Sequence, residues 1–213
     1  SGGTAPYTFT YKINGGPDLV ITTSAMTNTV TVAHPTAMTG VFNYTLVSIS
    51  DSYCGQSQSG TATVTVNAPP VVSIPQNSLC TGLTMTLSPT SGGTWISSNP
   101  SIATITNQGL VTGLAAGVVN FTFTQTSTGC SATTANVLIK QSPSSGLTAS
   151  KTDVCPNTQV TLDAHCSIPN ATVSWNPGAP TVTPNAATLP YIYKASCVAN
   201  GCVGNESSVE VRT

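Results

Sequence analysis

The sequence predicts an all-β fold built as small β-sandwiches in series. Three observations lead there. Apolar residues and Thr alternate with a period of two in segment after segment, the pattern of strands with one buried face. No long run carries an apolar period of 3.6, so no amphipathic helix is expected. And 18 Gly with 15 Pro interrupt the chain at short intervals, as short strands joined by turns require.

Taken in order, Tyr7-Thr-Phe-Thr-Tyr11 is the first strand, after the turn-forming Ser1-Gly-Gly-Thr-Ala-Pro6. Thr29-Val-Thr-Val32 alternates in the same way, and Thr61-Ala-Thr-Val-Thr-Val66 closes the first group before Ala68-Pro-Pro70 breaks the pattern. Leu83-Thr-Met-Thr-Leu87 and Phe121-Thr-Phe-Thr124 belong to a second group. Its last strand, residues 135–140, runs into a second break at Gln141-Ser-Pro-Ser-Ser145. Three domains follow: residues 1–67, 71–140 and 146–213. Each has about 70 residues, enough for about seven short strands when a disulfide supports a modest core. The later two share a plan, opening on a short strand with a Cys (Cys80, Cys155) and closing on a Cys-containing turn and a Thr/Val-rich strand. The first lacks that opening strand and its Cys, so the chain is expected to be an excerpt of a longer one, with Cys54 unpaired within it.

Seven Cys without a redox motif point to disulfides and an oxidising compartment. Residues 71–140 hold only Cys80 and Cys130, so these are expected to pair. The loop they close is worth about 4 kcal/mol in loop entropy. The third domain holds four Cys, which allow three pairings; the repeat plan selects Cys155 with Cys202 and Cys166 with Cys197. Zinc is disfavoured, because Cys197-x4-Cys202 is not the close pair that structural zinc uses. Neither His34 nor His165 sits in a nucleophile motif that would activate a Cys.

Charge excludes more. Charged residues are 5% of the chain, against about 25% in an ordinary domain. Thr and Ser take their place. Five Lys and Arg cannot build a basic patch, which excludes nucleic-acid binding. The most apolar stretch, residues 109–123, is broken by Thr112, Gly113 and Asn120 and is too short for a spanning helix, so no membrane insertion is expected. Residues 52–139 hold no Asp, Glu, Lys, Arg or His, so this stretch supplies no conventional general acid or base.

Thr94-Trp-Ile-Ser-Ser-Asn-Pro-Ser-Ile-Ala-Thr-Ile-Thr-Asn-Gln-Gly-Leu-Val-Thr-Gly-Leu-Ala-Ala-Gly117 closely resembles the bacterial Ig-like group 2 domain, with its W-x-S-S-N-P segment followed by G-x-V-x-G-x-x-x-G. On that resemblance Trp95 and Ile105 face the core and Asn107-Gln-Gly109 forms a hairpin turn. Gly2-Gly-Thr-Ala-Pro-Tyr-Thr-Phe9 is similar to PKD-like and SprB-type repeats of Bacteroidetes surface adhesins, as is the segment of residues 40–54. Val154-Cys-Pro-Asn-Thr-Gln-Val-Thr-Leu162, with Val173-Ser-Trp-Asn-Pro177 and Gly201-Cys202, looks like the Ig-like modules of proteins exported by type IX secretion. The resemblances imply three tandem Ig-like sandwiches in an extracellular, cell-surface protein, with no catalytic residues and no cofactor.

Several features have plainer readings beside the functional ones. Trp95 and Trp175 are expected as core residues on mid-sandwich strands rather than as sugar platforms. The six carboxylates are too scattered for calcium, with Asp153 the least unsuitable ligand. Sequons at Asn43, Asn120, Asn170 and Asn205 arise easily in a Thr-rich chain. With no charged residue from 52 to 139, the second domain has no charge to spend on its sheet edges, so lateral or end-to-end association is expected. The function expected is a non-catalytic adhesive stalk of a gliding or attachment adhesin. Its partners would be neighbouring Ig-like domains of the same or identical chains, surface glycans or a solid substratum. The alternatives are an accessory spacer or carbohydrate-binding region of a secreted glycan-degrading enzyme, and a subunit of an extracellular filament.

Overall fold

The computed structural model describes residues 3–176, 179–185 and 190–212. Gly2 and Pro177, which belong to two of the segments quoted above, lie outside the described residues. Every regular element among the described residues is a strand, so the chain is all-β. It divides into two compact units, Ser1–Pro69 and Pro70–Thr213.

The first unit holds β1 (Thr8–Ile13), β2 (Leu19–Thr22), β3 (Gly40–Ser50) and β4 (Gly55–Val66). They form one antiparallel sheet in the order β2-β1-β3-β4. The turn between β1 and β2 uses Asn14 and Gly15 at positive φ, which Asn and Gly adopt at least cost. The register sets Phe9 opposite Ile21 and Ile49, and Tyr44 opposite Ala62. Alternation therefore gathers the aromatic and aliphatic side chains on one face. No second sheet covers that face among the described residues, and none of the buried hydrophobic residues comes from this unit. The Thr29-Val-Thr-Val32 strand expected from the sequence does not form. Val30 and Val32 line a groove over the sheet's apolar face, so side-chain burial takes the place of ladder pairing.

The second unit contains two hydrophobic cores. Around the first run β5 (Ser78–Cys80), β6 (Thr84–Thr86), β7 (Gly93–Ser97), β8 (Ala103–Ile105), β9 (Leu110–Gly113), β10 (Gly117–Val119), β11 (Phe121–Gln125), β12 (Ser131–Thr133) and β13 (Val137–Lys140). Three short sheets result, in the orders β10-β13-β5, β12-β11-β7 and β6-β9-β8. The inward residues Leu87, Trp95, Val111, Phe121, Phe123 and Ile139 are buried. Most pairs are antiparallel, but β5 runs parallel to β13. The opening and closing strands of this module enter the same sheet in the same direction, which the alternation pattern does not encode.

Around the second core run β14 (Ser145–Ala149), β15 (Val160–Cys166), β16 (Thr172–Asn176), β17 (Thr181–Val182), β18 (Tyr191–Ala199), β19 (Cys202–Val203) and β20 (Ser207–Val211). One sheet has the order β14-β15-β17; in the other, β18 pairs with β16, β19 and β20. Val160, Leu162, Tyr193 and Val211 form the centre. Burial pushes the Tyr193 hydroxyl pKa up, and nearby Tyr191 adds to the shift.

Candidate functional site

Chemistry-bearing residues meet at two places: the joint between the two cores of the second unit, and the uncovered face of the first unit.

The joint begins with Cys80, the last residue of β5. The parallel register sets it beside Lys140, the last residue of β13, so both strand ends reach the linker together. Thr81 then holds the linker. Its N–H donates to the Lys140 carbonyl (2.9 Å), its hydroxyl accepts from the Ser142 N–H (2.9 Å), and its carbonyl accepts from the Ser142 hydroxyl (2.8 Å). Pro143 follows, fully buried. On the far side the Ser144 N–H donates to the Ser167 hydroxyl (2.8 Å), and the Ser145 hydroxyl donates to the Asn205 carbonyl (2.6 Å). A Cβ on Gly204 would overlap the Pro143 carbonyl, so only Gly lets β19 lie this close to the linker.

A covalent bond closes the joint: Cys80 is bonded to Cys202, with Cα atoms 5.8 Å apart. The expected pairs Cys80–Cys130 and Cys155–Cys202 are therefore corrected. Cys130 lies in the turn between β11 and β12, in a different sheet from β5, and its carbonyl closes that turn by accepting from the Gln125 N–H. Cys80 instead points out of the first core toward the turn between β18 and β19, its Sγ lying 4.0 Å from the Gly201 carbonyl oxygen. Cys155 is an exposed thiol beyond β14. Repeat logic failed because it treated each module as closed on itself, whereas this bond runs between two modules. Nothing in the spacing of 122 residues signals it. The second bond, Cys166–Cys197, joins β15 to β18 and so ties together the two sheets around the second core.

The Trp residues differ. Trp95 is 4% exposed, its ring centroid 5.1 Å from that of Phe123, and its indole N–H donates to the Pro89 carbonyl (2.9 Å). Trp175 is half-buried and packs against the second core from its edge. Ile105 packs against the first core. Gly109 adopts φ +77 in the β8–β9 turn, where a Cβ would also strike the Leu87 carbonyl. Asp153 is engaged by Arg212, whose Nε donates to it at 3.2 Å. His165 pairs with Asp163 at 3.3 Å on the surface. Among the described residues no group of three His, Cys, Asp or Glu could hold a metal ion.

In the first unit, Phe9, Tyr11, Ile21, Tyr44, Leu46 and Val64 line an open cavity of about 580 Å³. Tyr11 and Tyr44 stack at 6.0 Å, and Tyr44 shares a hydrogen bond with His34, which lies across Phe42. At the β3–β4 turn, Asp51 accepts backbone N–H bonds from Thr4 (2.9 Å), Tyr53 (2.9 Å) and Cys54 (2.8 Å), which lower its pKa to about 2. The Asp51 charge in turn pushes the exposed Cys54 thiol up, away from the thiolate that a nucleophile needs. The sequence marked Cys54 but not Asp51, although the Asp51-Ser-Tyr-Cys54 spacing is that of an Asx turn.

Comparison with known families finds a similarity that covers most of the second unit's first module. Residues 61–137 match the Bacterial Ig-like domain (group 2). The match runs from the last half of β4 to the first residue of β13, and it contains the Trp95 and Gly109 positions on which the resemblance rests. No curated protein matches the chain. Among solved structures, the chain is similar to the D1–D4 ectodomain fragment of ICAM-5, at 17% identity and TM-score 0.39, covering 100% of this chain and 69% of that one. Murine CEACAM1b is similar at 15% identity and TM-score 0.30, over 66% and 98%. Domains 4–9 of the surface layer protein SbsC are similar at 13% identity and TM-score 0.25, over 100% and 40%. The sheet layout around the two cores of the second unit, with the family match over the first of them, is that of tandem Ig-like β-sandwich modules, while the first unit contributes a single sheet.

Proposed function

We propose that this chain is a non-catalytic stalk segment of an extracellular bacterial surface protein, holding modules in a set relation while other parts make contact. The observation that carries the reading is the joint: the bond between Cys80 and Cys202, the hydrogen bonds on both sides of a buried Pro143, and the close seat of Gly204. A connection clamped this way suits a part that transmits load, because relative domain motion is otherwise the default across a short linker. The two disulfides support an oxidising, extracellular setting. Export by the type IX route and a role in gliding or attachment belong to the same proposal, on the resemblances of residues 2–9, 40–54 and 154–202.

The test is made in cells that carry the full-length protein. Replacing residues 70–213 by an unrelated pair of disulfide-linked sandwiches is expected to preserve attachment under flow, while a Gly/Ser linker of the same length weakens it. Turnover of a glycan, ester or peptide by the purified chain overturns the reading.

A second reading, a sugar-binding accessory region, has one observation in its favour: the groove carrying Phe9, Tyr11 and Tyr44. Aromatic rings in an open groove suit stacking on a sugar face. Binding on a glycan array that is lost in Tyr44→Ala would favour this reading over the stalk.

A further inference from the structure

We infer that the Cys80–Cys202 disulfide is a force bypass, removing residues 81–201, which carry most of both cores of the second unit, from the tensile path along the chain. The argument is one of connectivity. A pull on the two ends enters the second unit at Pro70 and follows the backbone through β5 to Cys80. From there the shortest covalent route crosses the sulfur–sulfur bond to Cys202 and leaves along β19 and β20. Residues 81–201, which the bond spans at a separation of 122, carry no tension once the flanking strands are taut. The Cys166–Cys197 bond lies wholly inside the bypassed segment, so it stabilises the second core without bearing load.

The flanking contacts show where extension stops. On the entry side, the Ser73–Ser88 backbone pair and the parallel β5–β13 ladder can be pulled apart only as far as Cys80. On the exit side, the β18–β20 ladder and the Asp153–Arg212 bridge can open only back to Cys202. Under load the second unit therefore yields a short, fixed extension of about 7 nm from its two ends and then holds, at the ~3.3–3.6 Å per residue of an extended chain. The bypassed segment withholds roughly 40 nm more by the same rule. Because a covalent bond sets the limit, it applies even when the cores themselves have unfolded. It is lifted only by a reductant. A dithiol attacks one sulfur, the sulfur–sulfur bond breaks to leave Cys80 and Cys202 as thiols, and the dithiol closes to its own disulfide.

The inference goes beyond the stalk reading and does not depend on it. Single-molecule stretching of the full chain, with handles at its two ends, provides the test. Without reductant, the roughly 40 nm of the bypassed segment should stay locked; with dithiothreitol it should appear. Oxidised Cys80→Ser/Cys202→Ser should release about 30 nm, because the inner bond still withholds its own loop of about 10 nm. Cys166→Ser/Cys197→Ser should keep the whole length locked whether or not its second core folds. Release of the bypassed length from oxidised wild-type protein overturns the inference. So does a locked length that responds to the inner pair instead of the outer one. Catalytic turnover by the chain would sink the stalk reading and leave the bypass intact.

Discussion

The carboxylate of Asp51 holds three backbone N–H groups that no ladder satisfies, and this lowers its pKa from 3.8 to about 2, led by the bond from Thr4. A carboxyl with a lower pKa in the folded state contributes its full stabilisation above the unfolded value. That contribution disappears as pH falls through the folded value. The β3–β4 turn and the Thr4 segment are thus expected to be unchanged above about pH 4 and to loosen between about pH 4 and pH 2. Amide chemical shifts of Thr4, Tyr53 and Cys54 measure this, and a shared midpoint near the ordinary carboxylate value would contradict it. Trp95 is the corresponding residue of the first core. Trp95→Ala leaves a cavity beside Phe123 and strips the Pro89 carbonyl of its donor. A loss of about 3–5 kcal/mol is expected in urea unfolding followed by circular dichroism. The core role of Trp95 could be read from the resemblance of its segment to the group 2 Ig-like domain. The half-exposure of Trp175 could not, because it depends on how far the neighbouring sheet extends over it.

Strand β4 is exposed along nearly its whole length and pairs on one side only, with β3. It carries no charge and no Pro, the usual protections of an edge. Its unit contributes no buried hydrophobic residue, whereas β11 and β13 lie at the centre of a closed core. Local stability should follow burial. Native-state hydrogen exchange is expected to be faster for amides of β1 to β4 than for those of β11 and β13, and equal protection would mean that something covers the first unit's face. Strand identity at this scale was legible wherever Thr alternates with an apolar residue that has a partner strand, as in Phe121-Thr-Phe-Thr124. The same pattern in Thr29-Val-Thr-Val32 misled, because alternation reports a side-chain preference and says nothing of whether a free ladder edge is within reach.

Across the whole molecule the two disulfides do different work. Loop entropy assigns about 5 kcal/mol to Cys80–Cys202 and about 4 kcal/mol to Cys166–Cys197. Reduction is expected to lower the unfolding free energy of the second unit by an amount of that order, and its denaturant midpoint with it, and to leave the first unit's transition in place, since neither bond touches residues 1–69. Denaturation followed with and without dithiothreitol checks it. Non-reducing peptide mapping checks the pairing itself, and a peptide joining Cys80 to Cys130 would break the account of the joint.

The sequence by itself determined the all-β class, the resemblance to the group 2 Ig-like domain around Trp95 and Gly109, and the absence of Asp, Glu, Lys, Arg and His from residues 52–139. Each of these is written in local composition, in spacing or in period-two alternation. Only the tertiary structure decided the parallel entry of β5, the open face of the first unit and the partner of Cys80. These depend on which distant segments come to lie side by side, and a cysteine carries no local mark of the module its partner belongs to.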